Sequence, residues 1–397
     1  MIKIYETDSF RRELSSVVTS CIQANGRIYI QLSETIFFPE EGGQYADTGV
    51  LVPVSSAADD VPVHVLDGEY RRGDIRYVVD REIAPGTEVL CILDWEKRFS
   101  RMQQHTGEHI LTGMIHNRYG YNNVGFHLSD DSPVTLDVSG PLTWEQTMEM
   151  EQAANEVVFA NVPVRVLFPS REELSRLDYR SKIEIEGQVR LIAIGEGSKP
   201  VDLCACCAPH VARTGEIGII KIISMQKYKG GTRLGILCGG RALAHYRQEW
   251  HRLDSLARYL STGVDQVADS VKGLQAELAA AKEKAAALTE TALLRELEAI
   301  PSDAPALVFT KEDLPPVVVK NTFNALAERF PARYVGLFIG SDDAGYRYAA
   351  GSKDLDARKL AGFMREALAA KGGGSQDMIQ GKVSAERKAI LHFWKDF

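Results

Sequence analysis

No apolar run in these 397 residues approaches the roughly 20 residues that a membrane helix requires, and the opening MIKIYETDSFRRELSS lacks the basic-then-apolar pattern of a secretory leader. A cytoplasmic protein with no membrane partner is the expectation. Excess positive charge is also lacking: the net charge is -8, which excludes broad nonspecific binding to nucleic acid, since such binding depends on basic surface. Local basic clusters remain at Lys97, Arg98 and Arg101 and at Lys227, Lys229 and Arg233, and a solvated surface is the simpler account of both. Cysteine is sparse. Cys21, Cys91 and Cys238 are scattered, whereas Cys204, Cys206 and Cys207 crowd into VDLCACCAPH, so a disulfide framework is excluded and thiols beside a histidine point to metal binding or reactivity. With 45% apolar and 25% charged residues, the chain has the balance of an ordinary globular protein, and its length allows two or three domains.

Residues 1–92 alternate short β-rich stretches such as RIYIQL and EVLCIL with the turn-forming EEGG, ADTG and LDGEYRRGD, the spacing of a small β-barrel. A second domain is expected over 93–241. It begins with a helix from Trp95 to Tyr119, in which Phe99, Met102, Ile110 and Met114 follow helical steps although Gly107 and Gly113 weaken it. A strand at VTLDV, a helix from Trp144 to Ala160 and mixed structure through KIEIEGQVRLIAIG follow. Residues 242–299 lack proline and are rich in Ala, Leu, Glu and Lys; Leu260, Val264, Val267, Val271, Leu274, Leu278, Ala281, Ala285 and Leu288 make a heptad seam, so a helical, coiled-coil-like arm is expected. Residues 300–397 read as α/β, with strands at ALVFT and YVGLFIG and helices at KNTFNALAERF and LDARKLAGFMREALAAK. The fold class is therefore α+β.

Two short patterns carry chemistry. In His105-Thr-Gly-Glu-His109 the histidines stand four apart, so on a helix both imidazoles reach one ion. Glu108 precedes the second histidine rather than following the first, which disfavours a zinc protease of the HExxH type. In Cys206-Cys207-Ala208-Pro209-His210 the first and last residues are again four apart, in a loop because of Pro209. Three imidazoles and a thiolate make a tetrahedral donor set suited to one Zn2+ per chain, with Cys204 and Cys207 as competitors for the thiolate position.

The segment Phe37-Phe38-Pro39-Glu40-Glu41-Gly42-Gly43-Gln44, followed by Ala46-Asp47-Thr48-Gly49, resembles the FxPExGGQxxDxG signature of the alanyl-tRNA synthetase editing region and its AlaX-type relatives. QHTGEHIL is similar to that family's HxxxH helix, CCAPHVARTGEIGIIKI to its CxxxHV segment, and Lys371-Gly-Gly-Gly-Ser375 with Gln380-Gly381 to the glycine-rich domain that follows the editing region. The order is that of the long, AlaX-L-like form, and no ATP-binding motif of an aminoacylation domain precedes residue 30. CCAP stands where the synthetase pattern has CGGT before His210.

The resemblance implies a zinc-containing trans-editing hydrolase that deacylates alanine tRNA mischarged with serine or glycine, with His105, His109, Cys206 and His210 as metal ligands. Glu108 is then a candidate base, and Gly42, Gly43, Gln44, His127, Thr135 and Asp137 are candidate substrate-binding residues. The resemblance also implies a tRNA-contacting C-terminal domain and allows a homodimer through it or through the arm. Two other functions fit the same motifs: a tRNA-binding protein with a structural zinc site, and an editing enzyme for threonine tRNA.

Overall fold

The computed structural model describes residues 1–54, 61–71, 73–128, 130–181, 187–197 and 199–396. It divides into two compact units, Met1–Arg252 and Leu253–Phe397. Residues 182–186 of the expected mixed segment lie outside the described residues.

The first unit begins with a closed six-stranded barrel whose strands run in the order Glu13–Ala24, Arg27–Leu32, Asp74–Val79, Val63–Arg71, Gly49–Pro53 and Glu88–Leu93. Every neighbouring pair is antiparallel. The first hairpin turns at Asn25-Gly26, both with positive φ, as a two-residue turn requires if it is to match strand twist. Val18, Ile30, Leu51, Val65, Tyr77 and Val89 fill the interior, and closure removes the unpaired edges that so small a sheet would otherwise expose.

Helix α1 (Trp95–Tyr119) leaves the barrel with Asp94 as its N-cap and stops at Gly120, which adopts the left-handed conformation. Gly107 costs helix propensity but is demanded by packing, because a Cβ there would lie 2.4 Å from Sγ of Cys238. A four-stranded antiparallel sheet, in the order Ile220–Tyr228, Gly231–Cys238, Val134–Val138 and Asn123–His127, packs against α1 and α2 (Trp144–Phe159). Thr143 and Gln146 form a capping box at the start of α2. Met102, Ile110, Leu136, Met150, Ile222 and Leu234 join helices and sheet in one core. A three-stranded sheet, Val164–Leu167, Leu191–Ile194 and Asp202–Ala205, completes the unit.

The second unit holds a five-stranded sheet ordered Leu307–Thr310, Val335–Ser341, Gly345–Gly351, Met378–Val383 and Lys371–Gly374. Helices Pro316–Arg329, Ala357–Leu368 and Arg387–Phe393 accompany it. The glycine-rich KGGG is therefore an edge strand, although nothing in its composition favours one. The expected helical arm consists of two helices, Gly239–Tyr259 and Val267–Glu298, broken where Ser261 takes a φ of 52° and Gly263 begins the next turn. Leu260 and Val264 thus fall outside regular helix. Of the apolar stripe on Val267–Glu298, Val271, Leu274, Leu278 and Leu288 are exposed, while Leu293 and Leu297 pack beside Val318 and Phe323. Among the described residues no helix is long and apolar enough to cross a membrane.

Candidate metal centre

His105 and His109 lie one turn apart on the buried face of α1, and the loop after strand Asp202–Ala205 brings Cys206 and His210 against them. One ligand atom from each of these four residues lies within 4.8 Å of all the others. Sγ of Cys206 is 3.6 Å from Nε2 of His105 and 3.4 Å from Nε2 of His210.

The other nitrogen of each imidazole is engaged elsewhere. Nδ1 of His105 donates to Oε1 of Gln44 at 2.8 Å, Nδ1 of His109 donates to Oδ2 of Asp202 at 2.8 Å, and Nδ1 of His210 pairs with the Thr106 hydroxyl at 3.0 Å. Such outer partners fix ring orientation, and for His105 and His109, whose partner oxygens can only accept, they also fix the tautomer and leave Nε2 free to ligate. Asp202 is itself held by Nε of Arg180 at 2.7 Å. His109, Asp202 and Cys204 form a second close group, in which Oδ2 of Asp202 already accepts from Nδ1 of His109.

Electrostatics follow from this geometry. Burial alone raises the Cys206 thiol, yet His105 and His210 beside it, with hydrogen bonds to His105 and His109, hold it well below its ordinary pKa. Burial pushes Cys204 up to about 11, and burial with the neighbouring Cys206 and Glu41 pushes Cys207 further up. Burial opposes the charge on His109, but the hydrogen bond to Asp202 raises its pKa well above the usual value. Burial takes His210 down to about 3. The thiolate is thus most accessible at the residue that faces three imidazoles. Cys207 packs instead with the barrel core and against Gly42.

Three features were invisible in the sequence. Arg190 clamps the ligand loop, donating to the carbonyls of Cys206 at 2.6 Å and Ala208 at 3.0 Å. Asp47, the acidic residue of the FxPExGGQxxDxG-like segment, accepts from the wholly buried Arg98 and from the Phe38 amide, which pins that segment to α1. Arg101 donates to the Ala46 carbonyl and to Asp130. The first basic cluster is therefore no surface patch: Arg98 and Arg101 are buried, and only Lys97 is exposed. The spacing of Asp47 from Arg98, 51 residues, carries no local signal.

The pinned segment delivers Gly42, Gly43 and Gln44 to the metal centre. Gly43 has a φ of 86°, and a Cβ there would lie 2.5 Å from the Phe126 carbonyl, so the turn can close only on glycine. Its carbonyl accepts from the Leu128 amide at 2.9 Å. Nε2 of Gln44 is buried without a hydrogen-bond partner, beside the imidazole that its oxygen holds. The Phe126 ring meets that of His105 at 4.9 Å between centroids, tilted by 40°.

Glu108 does not face solvent. It is buried, its Oε1 accepts from Thr112 and from Nδ2 of Asn123, and its Oε2 lies 3.9 Å from Nε2 of His109. Thr135 and Asp137 occupy the face of their strand opposite Leu136, and Asp137 forms a two-pronged ion pair with Arg233. The structure therefore gives Asp137 a partner in Arg233. His127 is exposed and contacts Tyr45 edge-to-face at 5.7 Å.

Residues 189–234, which carry Cys206 and His210, match the family described as the threonyl and alanyl tRNA synthetase second additional domain. The chain is 26% identical to the alanyl-tRNA editing protein AlaX-L of Pyrococcus horikoshii, over 98% of its own length and 96% of that protein. It is 33% identical over 68% of its length to the alanyl-tRNA editing protein Aarsd1 of Danio rerio, of which it covers 66%. To the alanine–tRNA ligase of Caldivirga maquilingensis it is 31% identical over 96% of its length, spanning 42% of that enzyme. The chain belongs to the AlaX-type family of alanyl-tRNA editing proteins.

Proposed function

We propose that the chain is a trans-editing aminoacyl-tRNA deacylase that removes serine, and secondarily glycine, from alanine tRNA, using one zinc ion held by His105, His109, Cys206 and His210. The observation that carries this reading is the convergence of three Nε2 atoms and one thiol whose outer partners are already fixed. The donor types suit zinc. When bound, zinc supplies Lewis acidity toward the ester or toward a substrate amine or hydroxyl.

The chain's own groups do the rest. Oε2 of Glu108, aimed at the ligand side of His109, is placed to accept a proton from the attacking water, while Thr112 and Asn123 hold its other oxygen. The unpartnered Nε2 of Gln44 is a donor for the substrate's hydroxyl or carbonyl. A site that hydrogen-bonds serine's hydroxyl disfavours alanine by up to about 10⁴- to 10⁵-fold, because alanine leaves buried polar groups unpaired. That asymmetry is what editing needs, since a synthetase pocket that accepts alanine cannot sterically exclude glycine and rejects an added hydroxyl only about 10²-fold.

The C-terminal residues 300–397 are assigned to tRNA contact, and the exposed stripe Val271, Leu274, Leu278 and Leu288 to a homodimer seam. Six free thiols suit the reducing cytoplasm. The test is hydrolysis of alanine tRNA charged with serine, glycine or alanine, and of serine-charged threonine tRNA. Serine on alanine tRNA should be released far faster than alanine. Equal rates would refute the reading, and turnover confined to threonine tRNA would transfer it to that substrate. Tight tRNA binding with no hydrolysis would leave a binding protein with a structural metal.

A further inference from the structure

In the second unit, cations stand side by side on one face of the five-stranded sheet. Arg347 pairs in register with Lys382, and Lys382 with Lys371, so the row crosses three neighbouring strands. Directly paired residues share a face, and like charges so placed destabilise a sheet. Strands lie about 4.8 Å apart, which gives the row a length of about 10 Å at its Cα atoms. Asp313 neutralises Arg347, but among the described residues neither Lys382 nor Lys371 has an ion-pair partner, and both are exposed. Lysine on an edge strand guards against aggregation, which accounts for Lys371. It does not account for Lys382, whose strand Met378–Val383 is paired on both sides.

The row borders a cleft of about 850 Å³. Lys282, Ala286 and Thr289 of helix Val267–Glu298 line one side, and Arg347, Gln380 and Lys382 of the sheet line another. Glu312 and Asp313 also line it, Asp313 being the one held by Arg347. Helix Pro316–Arg329 covers the same sheet face at Val335, Leu337 and Ile339, whereas Gln380, Lys382 and Gly373 are exposed. Gly373 pairs with Gln380, and a Cβ there would meet nothing within 4 Å, so neither packing nor a positive φ asks for glycine. Its missing side chain leaves the backbone open to close approach by a ligand.

We infer that this cleft is an RNA backbone site, in which the unpaired ammonium groups of Lys382, Lys371 and Lys282 neutralise phosphates of the bound tRNA. The inference rests on the deacylase reading above and gives tRNA contact a defined face. A chain of net charge -8 needs a local cationic surface to hold a polyanion. In the first unit Arg98 and Arg101 are buried and paired with Asp47 and Asp130, so they cannot supply it. In the second unit the lysines are exposed, and bound phosphate relieves the repulsion along their row.

The experiment uses the full chain and measures binding of uncharged alanine tRNA across a range of salt concentrations. Lys382→Gln and Lys371→Gln should each reduce the slope of log K against log salt by about 0.7–0.9, and weaken binding on the order of 5-fold near about 0.15 M salt. The double variant should lose about the sum. Metal content and kcat for serine release should be unchanged while KM rises. Neither substitution should lower the melting temperature, because each removes a like charge from the row. Lys388→Gln, exposed on the helix Arg387–Phe393 that packs against the opposite face, should be silent. A wild-type slope in the double variant overturns the site and leaves the deacylase reading intact. ATP binding that the double variant loses while it keeps wild-type affinity for tRNA overturns it in favour of a free nucleotide. A wild-type chain that binds alanine tRNA and releases no serine sinks the deacylase reading, and the salt series then decides the RNA site by itself.

Discussion

Buried polar side chains are divided unequally between the two units. Asp47, Arg98, Arg101, Gln104, His105, Glu108, His109, Asp202 and His210 are all buried in the first, whereas among the described residues of the second only Thr322 and Ser352 are both polar and buried. The second unit is built around Phe338, Trp394, Leu360 and Met364 and has an ordinary apolar core. Burying charge is costly unless every group is paired, and a fully paired network confers rigidity in return. The first unit has accepted that cost where His105, His109, Cys206 and His210 converge; among its described residues the second has no such interior network.

The sharpest way to break this contrast is to remove a ligand. Cys206→Ala should lose the metal and bring deacylation to background, because the centre ties a loop to a helix about 100 residues away in sequence. Cys204→Ala and Cys207→Ala should keep the metal; elemental analysis of the three variants with deacylation rates decides it. Full metal and activity in Cys206→Ala would move the ligand to a neighbouring thiol.

Next in size is the buried ion pair. Arg98→Leu strands Asp47 without its partner and should cost about 3–5 kcal/mol. Calorimetry should show the loss in the transition of the first unit alone, and a matching shift in the second would mean that the units do not unfold independently. A smaller effect is expected at the outer partners. Asp202→Asn leaves the four ligands in place but weakens the hold on His109, and should lower metal affinity or activity about 10- to 100-fold, as measured by competition with a chelator.

The smallest effect belongs to the second unit. Leu278→Lys replaces a side chain 56% exposed and should change stability by no more than about 0.5 kcal/mol. Sedimentation of the same variant sharpens the comparison: a wild-type dimer that becomes monomeric would identify the stripe as a seam, and an unaltered dimer would place the contact elsewhere.

How far the sequence could be read differs along the chain. The α1 histidines were legible because a spacing of four encodes proximity on a helix without any tertiary information. Barrel strands were legible from equally local signals, short β-rich stretches separated by turn residues. Helix over the arm was legible from composition, but its break was not, because apolar periodicity persists through Leu260 and Val264 even though Ser261 and Gly263 interrupt the backbone. Lys97, Arg98 and Arg101 looked like a set, yet two of them turn inward to hold the Gln44 segment. Thr135 and Asp137 lay at a plausible distance along the chain, but strand alternation turns both away from the Leu136 face.

The sequence by itself determined which atoms are available to a metal and the local elements that carry them, since donor chemistry and short-range periodicity are written within a few residues. Tertiary structure alone decided which nitrogen of each imidazole is spoken for. The Gln44–His105, Asp202–His109 and Thr106–His210 pairs join residues 61, 93 and 104 positions apart. No spacing rule reaches so far; only the packing of the barrel, α1 and the ligand loop brings these groups within hydrogen-bonding distance.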